Sequence, residues 1–181
     1  MKQIYVVRHC QAEGQAADAP LTAVGQEQAQ DLAAFLADRP IDYIVCSPYV
    51  RACDTIAPLA MQLGIEVQLD ERLTERVLSE QNCPDWMDML RATYDDLELC
   101  FEGGESSRMA MQRVVQVVQE MLERPGEHAV LVSHGNLISL LLKYFDDGFG
   151  FEQWRALSNP DVYLLSFSDY QQPSMTRLWL K

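Results

Sequence analysis

Three apolar runs in this chain each end in residues suited to handling a phosphoryl group. Tyr5-Val6-Val7 runs into Arg8-His9, Tyr43-Ile44-Val45 leads through Ser47 to Arg51, and Ala129 to Val132 delivers Ser133-His134-Gly135. A transferring phosphoryl group spreads negative charge over several oxygens, and a guanidinium meets it with a rigid fork of donors. A neutral imidazole nitrogen is a competent nucleophile near neutral pH, and a phosphohistidine divides ester hydrolysis into transfer to the enzyme and transfer to water. The other ring nitrogen must then donate to a fixed acceptor, which the sequence does not identify. Arg51 adds a separate sign. It falls in the first turn of an expected helix, where the backbone dipole disfavours a cation, and an anion between arginine and helix resolves that conflict. A solvent-facing arginine or an internal salt bridge is the alternative reading.

The elements that must position these residues alternate between two periodicities. A strand is expected over residues 3–7, then a helix from Ala23 to Ala37 capped by Thr22, and a strand from Tyr43 to Cys46. Ser47 as cap and Pro48 as first helical residue open a helix through Leu63, followed by a short strand from Glu66 to Leu69. Helices are expected around Pro84 to Asp95 and Ser106 to Glu123, a strand at Ala129 to Val132 and a helix at Leu137 to Tyr144. Strands at Val162 to Phe167 and Thr176 to Leu180 pair as a hairpin.

The apolar runs YVV, YIV and AVLV read as strands buried on both faces. The fold class is therefore α/β: a three-layer α/β/α sandwich with a mostly parallel central sheet and an antiparallel edge or hairpin. Such a sheet gathers Arg8-His9, Ser47 to Arg51 and Ser133-His134-Gly135 at its carboxyl edge, where these folds bind ligands. Residues 76–104, with Trp86 and Gly103-Gly104, are the expected excursion over the site.

A chain of 181 residues with 48% hydrophobic content suits a single domain over residues 1–181, since this size buries about 70% of its extended surface. Fourteen Lys plus Arg against 27 Asp plus Glu give a formal charge of −13. That balance opposes generic attraction to nucleic acid or anionic membrane, so a phosphate site must be built locally. The start MKQIYVVRHC enters strand-like sequence without a charged leader, apolar run and cleavage site, and no membrane-length apolar run follows; a soluble cytoplasmic protein is expected. Five cysteines without paired metal spacing favour reduced thiols. Cys46 and Arg51 are separated by four residues, one too few for a cysteine-dependent phosphatase loop. Walker and dinucleotide fingerprints are missing too.

Taken together, Arg8-His9-Cys10, LTAVGQEQA, SPYVRACDTI, the Glu75 region, GGES and SHG resemble the histidine phosphatase superfamily, also called phosphoglycerate mutase-like, over almost the entire chain. The resemblance implies His9 as nucleophile, Arg8 and Arg51 as phosphate ligands and His134 as the second histidine of the site. It makes Glu75 the group that protonates the leaving oxygen and then takes a proton from water, with Glu71 or Glu80 as alternatives. Cys10 replaces the usual glycine of the Arg-His-Gly pattern and is expected to narrow or redirect the first loop. Gln15 stands where mutase-type relatives carry asparagine and is expected to offer its amide to phosphate, whereas Ala12 lacks the hydroxyl that relatives often carry. Asn136 is expected to cap the following helix or donate to phosphate. Glu105 lies over the pocket by resemblance, or serves only to start a helix.

Metal ligation by His9, His134 and Glu75 is opposed by the adjacent arginines, so no metal or cofactor is expected. The chain lacks the insertions of glycolytic mutases, which favours a metal-independent phosphatase over intramolecular phosphoryl transfer; a non-catalytic phospholigand-binding module is the third reading. The expected partner is a small phosphorylated metabolite, with a phosphoprotein as second substrate class. Trp86, Tyr94 and Phe101 are candidate walls for its organic end. No nucleic-acid or membrane partner is expected, and the sequence leaves oligomeric state open.

Overall fold

In the computed structural model, which describes residues 1–168 and 172–179, the alternation of strands and helices produces one six-stranded sheet. In chain order the first elements are β1 (Lys2–Arg8), α1 (Ala23–Leu36), β2 (Tyr43–Cys46), α2 (Val50–Leu63) and β3 (Val67–Leu69). They are followed by α3 (Trp86–Asp95), α4 (Ser107–Glu123), β4 (His128–Ser133), α5 (Gly135–Phe145), α6 (Phe151–Arg155), β5 (Asp161–Phe167) and β6 (Ser174–Arg177). The strand order is β3-β2-β4-β1-β5-β6, parallel from β3 to β1 and antiparallel from β1 to β6. The terminal hairpin is thus present; Leu180, the end of its expected second strand, lies outside the described residues.

Alternate strand residues feed two apolar layers. Ile4, Val6, Val45, Ala129 and Leu131 pack with α4 and α5, while Tyr5, Val7, Ile44, Cys46, Val130 and Val132 pack with α1 and α2. The run Ala129 to Val132 has no exposed surface, which is why it is apolar throughout. Each large side chain there contributes about 1.5–3 kcal/mol by burial.

Two caps lie where the sequence indicates: Thr22 Oγ1 accepts the Gly25 N–H and Ser106 Oγ accepts the Met109 N–H. The start of α2 differs. Ser47 is still part of the sheet ladder, donating its N–H to Val132, and Tyr49 has extended backbone, so the helix begins at Val50 rather than Pro48. Helix α5 starts two residues before Leu137, and the five-residue α6 is too short to show a periodicity. Among the described residues no helix is long and apolar enough to cross a membrane.

Candidate active site

Sheet register brings the three chemical segments together. Arg8 pairs with Ser133 and Cys46 with Val132. The ladder continues one residue beyond β1 and β2, His9 N–H donating to the Ser133 carbonyl at 3.1 Å and Ser47 N–H to the Val132 carbonyl at 3.0 Å. His9, Ser47 and His134 therefore leave the sheet at the same carboxyl edge.

His9 is 7% exposed. Its Nδ1 lies 2.7 Å from the Cys10 carbonyl, which only accepts, so Nδ1 carries the proton. The opposite nitrogen, Nε2, accepts from Nε of Arg51 at 3.3 Å. Burial pushes the His9 pKa down to about 4; the Cys10 carbonyl opposes this and the cations Arg51 and Arg8 reinforce it. At neutral pH the ring is uncharged, with its lone pair on Nε2.

Arg51 is 1% exposed although it sits in the first turn of α2. Its Nη1 donates to the carbonyls of Gln15 and Ala16, and its guanidinium lies 5.0 Å from the Tyr49 ring centroid. Arg8 Nη1 donates to the carbonyls of Leu157 and Ser158, while its buried Nε has no partner. No ion pair among the described residues involves either arginine. The glycine of SHG has a steric reason: a Cβ on Gly135 would stand 2.8 Å from Arg8 Nε.

His134 has no exposed surface, and its ring centroid is 5.1 Å from that of His9. Its Nε2 is 2.7 Å from Ser47 Oγ, whereas its buried Nδ1 has no partner. Burial pushes its pKa down to about 2, with His9 and the nearby arginines acting in the same direction.

Glu75 crosses to the start of α5. Its carboxylate accepts the N–H groups of Asn136 and Leu137 at 3.1 and 3.0 Å, filling two unsatisfied donors of the α5 N-terminus, and also the Arg76 N–H at 2.8 Å. Asn136 consequently differs from its expected roles. It lies inside the first turn, His134 holds the cap position, and its side chain links Arg76 to the Tyr94 hydroxyl. Glu105 is paired with Arg113, which also donates to the carbonyls of Arg72 and Thr74 and so braces the segment carrying Glu75.

Arg8, Arg51, Glu75 and Gln15 line one cavity of ≈ 610 Å³, joined by Arg76, Gly135 and Asn136. Its apolar lining includes Val77 and Leu78, Trp86, Met89 and Leu90 of α3, and Trp154 of α6. Tyr94 and Phe101 are not in this lining; Tyr94 is buried and bonded to Ser139 and Asn136. Helix α6 is held on α3 by an Arg91–Glu152 ion pair and by Arg91 over the Phe151 ring. Among the described residues no cluster of three or more His, Cys, Asp or Glu could hold a metal ion.

The departures in the first loop are accommodated by packing. Cys10 is fully buried beside Leu21 and Ala29, and burial pushes its thiol up to about 11, leaving it protonated. Its N–H is taken by Thr55 Oγ1, which itself donates to the Arg51 carbonyl. Ala12 forms a β-bridge with Leu21. Gly25 is required because a Cβ there would stand 2.0 Å from the Gln11 carbonyl oxygen.

Sequence reasoning missed three residues at this site. Ser47 is the partner of His134 rather than a helix cap; Arg76 is a second buried arginine beside Arg51; Asn159 donates to the His9 carbonyl at 2.8 Å. The Asn159-Pro160 turn before β5 was the available signal for the last.

A family model described as histidine phosphatase superfamily (branch 1) matches residues 4–178. A "Probable phosphoglycerate mutase" of Escherichia fergusonii is 30% identical over 160 residues, covering 78% of this chain and 74% of that protein. The solved structure of a mycobacterial glucosyl-3-phosphoglycerate phosphatase with VO3 is similar with a TM-score of 0.79 at 25% identity, covering 99% of both chains. Bacillus stearothermophilus YhfR shares the fold, with a TM-score of 0.82 at 20% identity over 98% of this chain and 96% of its own.

Proposed function

The chain belongs to the histidine phosphatase superfamily (branch 1), and we propose that it is a metal-independent hydrolase of a small organic phosphomonoester, acting through a phosphohistidine on His9. The observation that carries this reading is the fixed tautomer of His9, with Nδ1–H on the Cys10 carbonyl and the Nε2 lone pair against Arg51.

In the proposed reaction Arg8, Arg51 and His134 hold the phosphoryl oxygens, and Gln15 adds its amide. Nε2 of His9 attacks phosphorus as the bond to the ester oxygen breaks, and Glu75 gives that oxygen its proton. Water then attacks the phosphohistidine, Glu75 takes a proton from it, and the phosphorus–nitrogen bond breaks. Ser47 Oγ already accepts the Tyr49 N–H, which supports its own proton going to Nε2 of His134. Nδ1–H of His134 is then free for the anion. Residues 76–104 cover the bound ester within a single domain.

The small-molecule reading is supported by the cavity volume of ≈ 610 Å³, suited to a metabolite rather than a folded phosphoprotein segment. The mycobacterial relative, named for a phosphorylated glycerate derivative, points the same way. Five free thiols support a reducing, cytoplasmic setting.

The test is phosphate release from a panel of phosphomonoesters in chelator, comparing the wild type with folded His9→Ala. Release that disappears with His9 supports the reading; equal release by both proteins would overturn it. The relative described as a phosphoglycerate mutase favours a second reading, in which the phosphoryl group is recovered on an organic hydroxyl instead of in water.

A further inference from the structure

Arg177, in the edge strand β6, takes no step in the proposed reaction and lies outside the cavity lining. It nevertheless controls the carboxylate that faces a phosphate ligand. Sheet register places Asp161 of β5 opposite Arg8 of β1. Asp161 is 1% exposed and accepts four donors: the N–H groups of Ser158 and Val162 at 2.9 and 3.0 Å, and Nη2 and Nε of Arg177 at 2.6 and 3.0 Å. An ionised carboxylate offers about four lone-pair sites, so Asp161 has none left for a further donor. Nη2 of Arg177 also donates to the Ala156 carbonyl at 3.1 Å.

The consequence falls on Arg8. Burial disfavours its charge, while Glu75 and Asp161 favour it, yet no carboxylate among the described residues pairs with it. Glu75 is committed to α5 and Asp161 to Arg177. Arg8 holds the neutral carbonyls of Leu157 and Ser158 instead, and its buried Nε keeps no partner. Arg8 and Asp161 thus grip the same residue, Ser158, one at its carbonyl and the other at its N–H. A carboxylate released at this distance would form a charge-assisted pair with Arg8, stronger than either carbonyl bond, and an arriving anion would have to displace it.

From this geometry we infer that Arg177 is a positioning residue of the anion site: by holding Asp161 it keeps the carboxylate opposite Arg8 from closing on that guanidinium, and so leaves Arg8 for phosphate. The terminal hairpin then sets ligand affinity from outside the cavity. The inference rests on Arg8 as a phosphate ligand in the proposed function, and it is measurable without turnover.

The experiment is calorimetric binding of methylphosphonate to the wild-type chain, Arg177→Met, Asp161→Asn and the double variant. Arg177→Met should bind about ten-fold or more weakly, the range expected for a hydrogen bond between charged groups, because the freed Asp161 competes for Arg8. Adding Asp161→Asn removes the competitor, so the double variant should return close to wild-type affinity, and Asp161→Asn alone should bind no more weakly than the wild type. A pair that only braced the hairpin would behave otherwise: either substitution would weaken binding, and the double variant would recover nothing. That result, or unchanged affinity in Arg177→Met, would overturn the inference. If Arg177→Met fails to fold, Arg177→Gln takes its place; it keeps a donor to Asp161 without the charge, and a smaller loss with the same recovery is expected. Failure of the phosphatase reading looks different: the affinities follow the expected order, but no ester releases phosphate.

Discussion

Nε of Arg51 donates to Nε2 of His9 across 3.3 Å, so the cation proposed to anchor phosphate already touches the nitrogen proposed to attack it. The same guanidinium is tied through Nη1 to the carbonyls of Gln15 and Ala16. Its position is therefore set by the first loop, and an arriving phosphoryl oxygen has only to take over the Nε–H.

Arg51→Lys should accordingly be far from conservative. A lysine ammonium cannot hold the loop carbonyls while presenting a second donor beside His9. We expect kcat/KM to fall about 100-fold, close to 2.7 kcal/mol, in steady-state phosphate release. Kinetics within a factor of two of the wild type would contradict the assignment of Arg51.

The pH dependence should lack the acid limb of an ordinary histidine. Because burial lowers the His9 pKa to about 4, the neutral nucleophile persists well below the usual value near 6.5. After correction for ionisation of the ester itself, kcat/KM should not decline with an apparent pKa near 6.5; a decline there would show that His9 titrates normally.

Stability responds to the same burial. His9 and His134 have folded-state pKa values lowered to about 4 and about 2, so the unfolded chain binds more protons as pH falls below about 6.5. Their stabilising effect is complete above that pH. It declines toward 4 for His9 and onward toward 2 for His134. His134→Asn should lose about 2 kcal/mol less than the wild type between pH 6.5 and 5, read from urea midpoints. Parallel curves for the two proteins would rule this out.

Gly135→Ala tests the packing beneath Arg8. The added methyl group would stand 2.8 Å from Arg8 Nε, while alanine itself suits a helical position. We expect the KM for phosphomonoesters to rise about ten-fold or more, as for loss of a charged hydrogen bond, with little change in far-ultraviolet circular dichroism. An unaltered KM would mean that Arg8 can shift without cost.

Much of this was legible because strand burial leaves a direct mark on sequence. YVV, YIV and AVLV announced a sheet covered on both sides, and the residues following them were the ones its carboxyl edge collected. Ser47 misled for a physical reason: Ser-Pro is a good helix opening, but the next strand claimed the Ser47 backbone and His134 claimed its hydroxyl. Arg76 gave no local signal, since its burial depends on Thr93, Glu105 and Asn136 from distant parts of the chain. Asn159 was hidden similarly, being opposite His9 only after β5 has paired with β1.

The hydrogen bonds that carry the sheet ladder past its strand ends, from His9 to Ser133 and from Ser47 to Val132, tie the backbone of the proposed nucleophile and of the partner of His134 into the central sheet. Amide protons at these two positions should exchange with solvent at rates set by whole-domain opening rather than by loop fraying. These two positions then have no partially melted form of their own, and their alignment with His134 is lost only when the central sheet is lost.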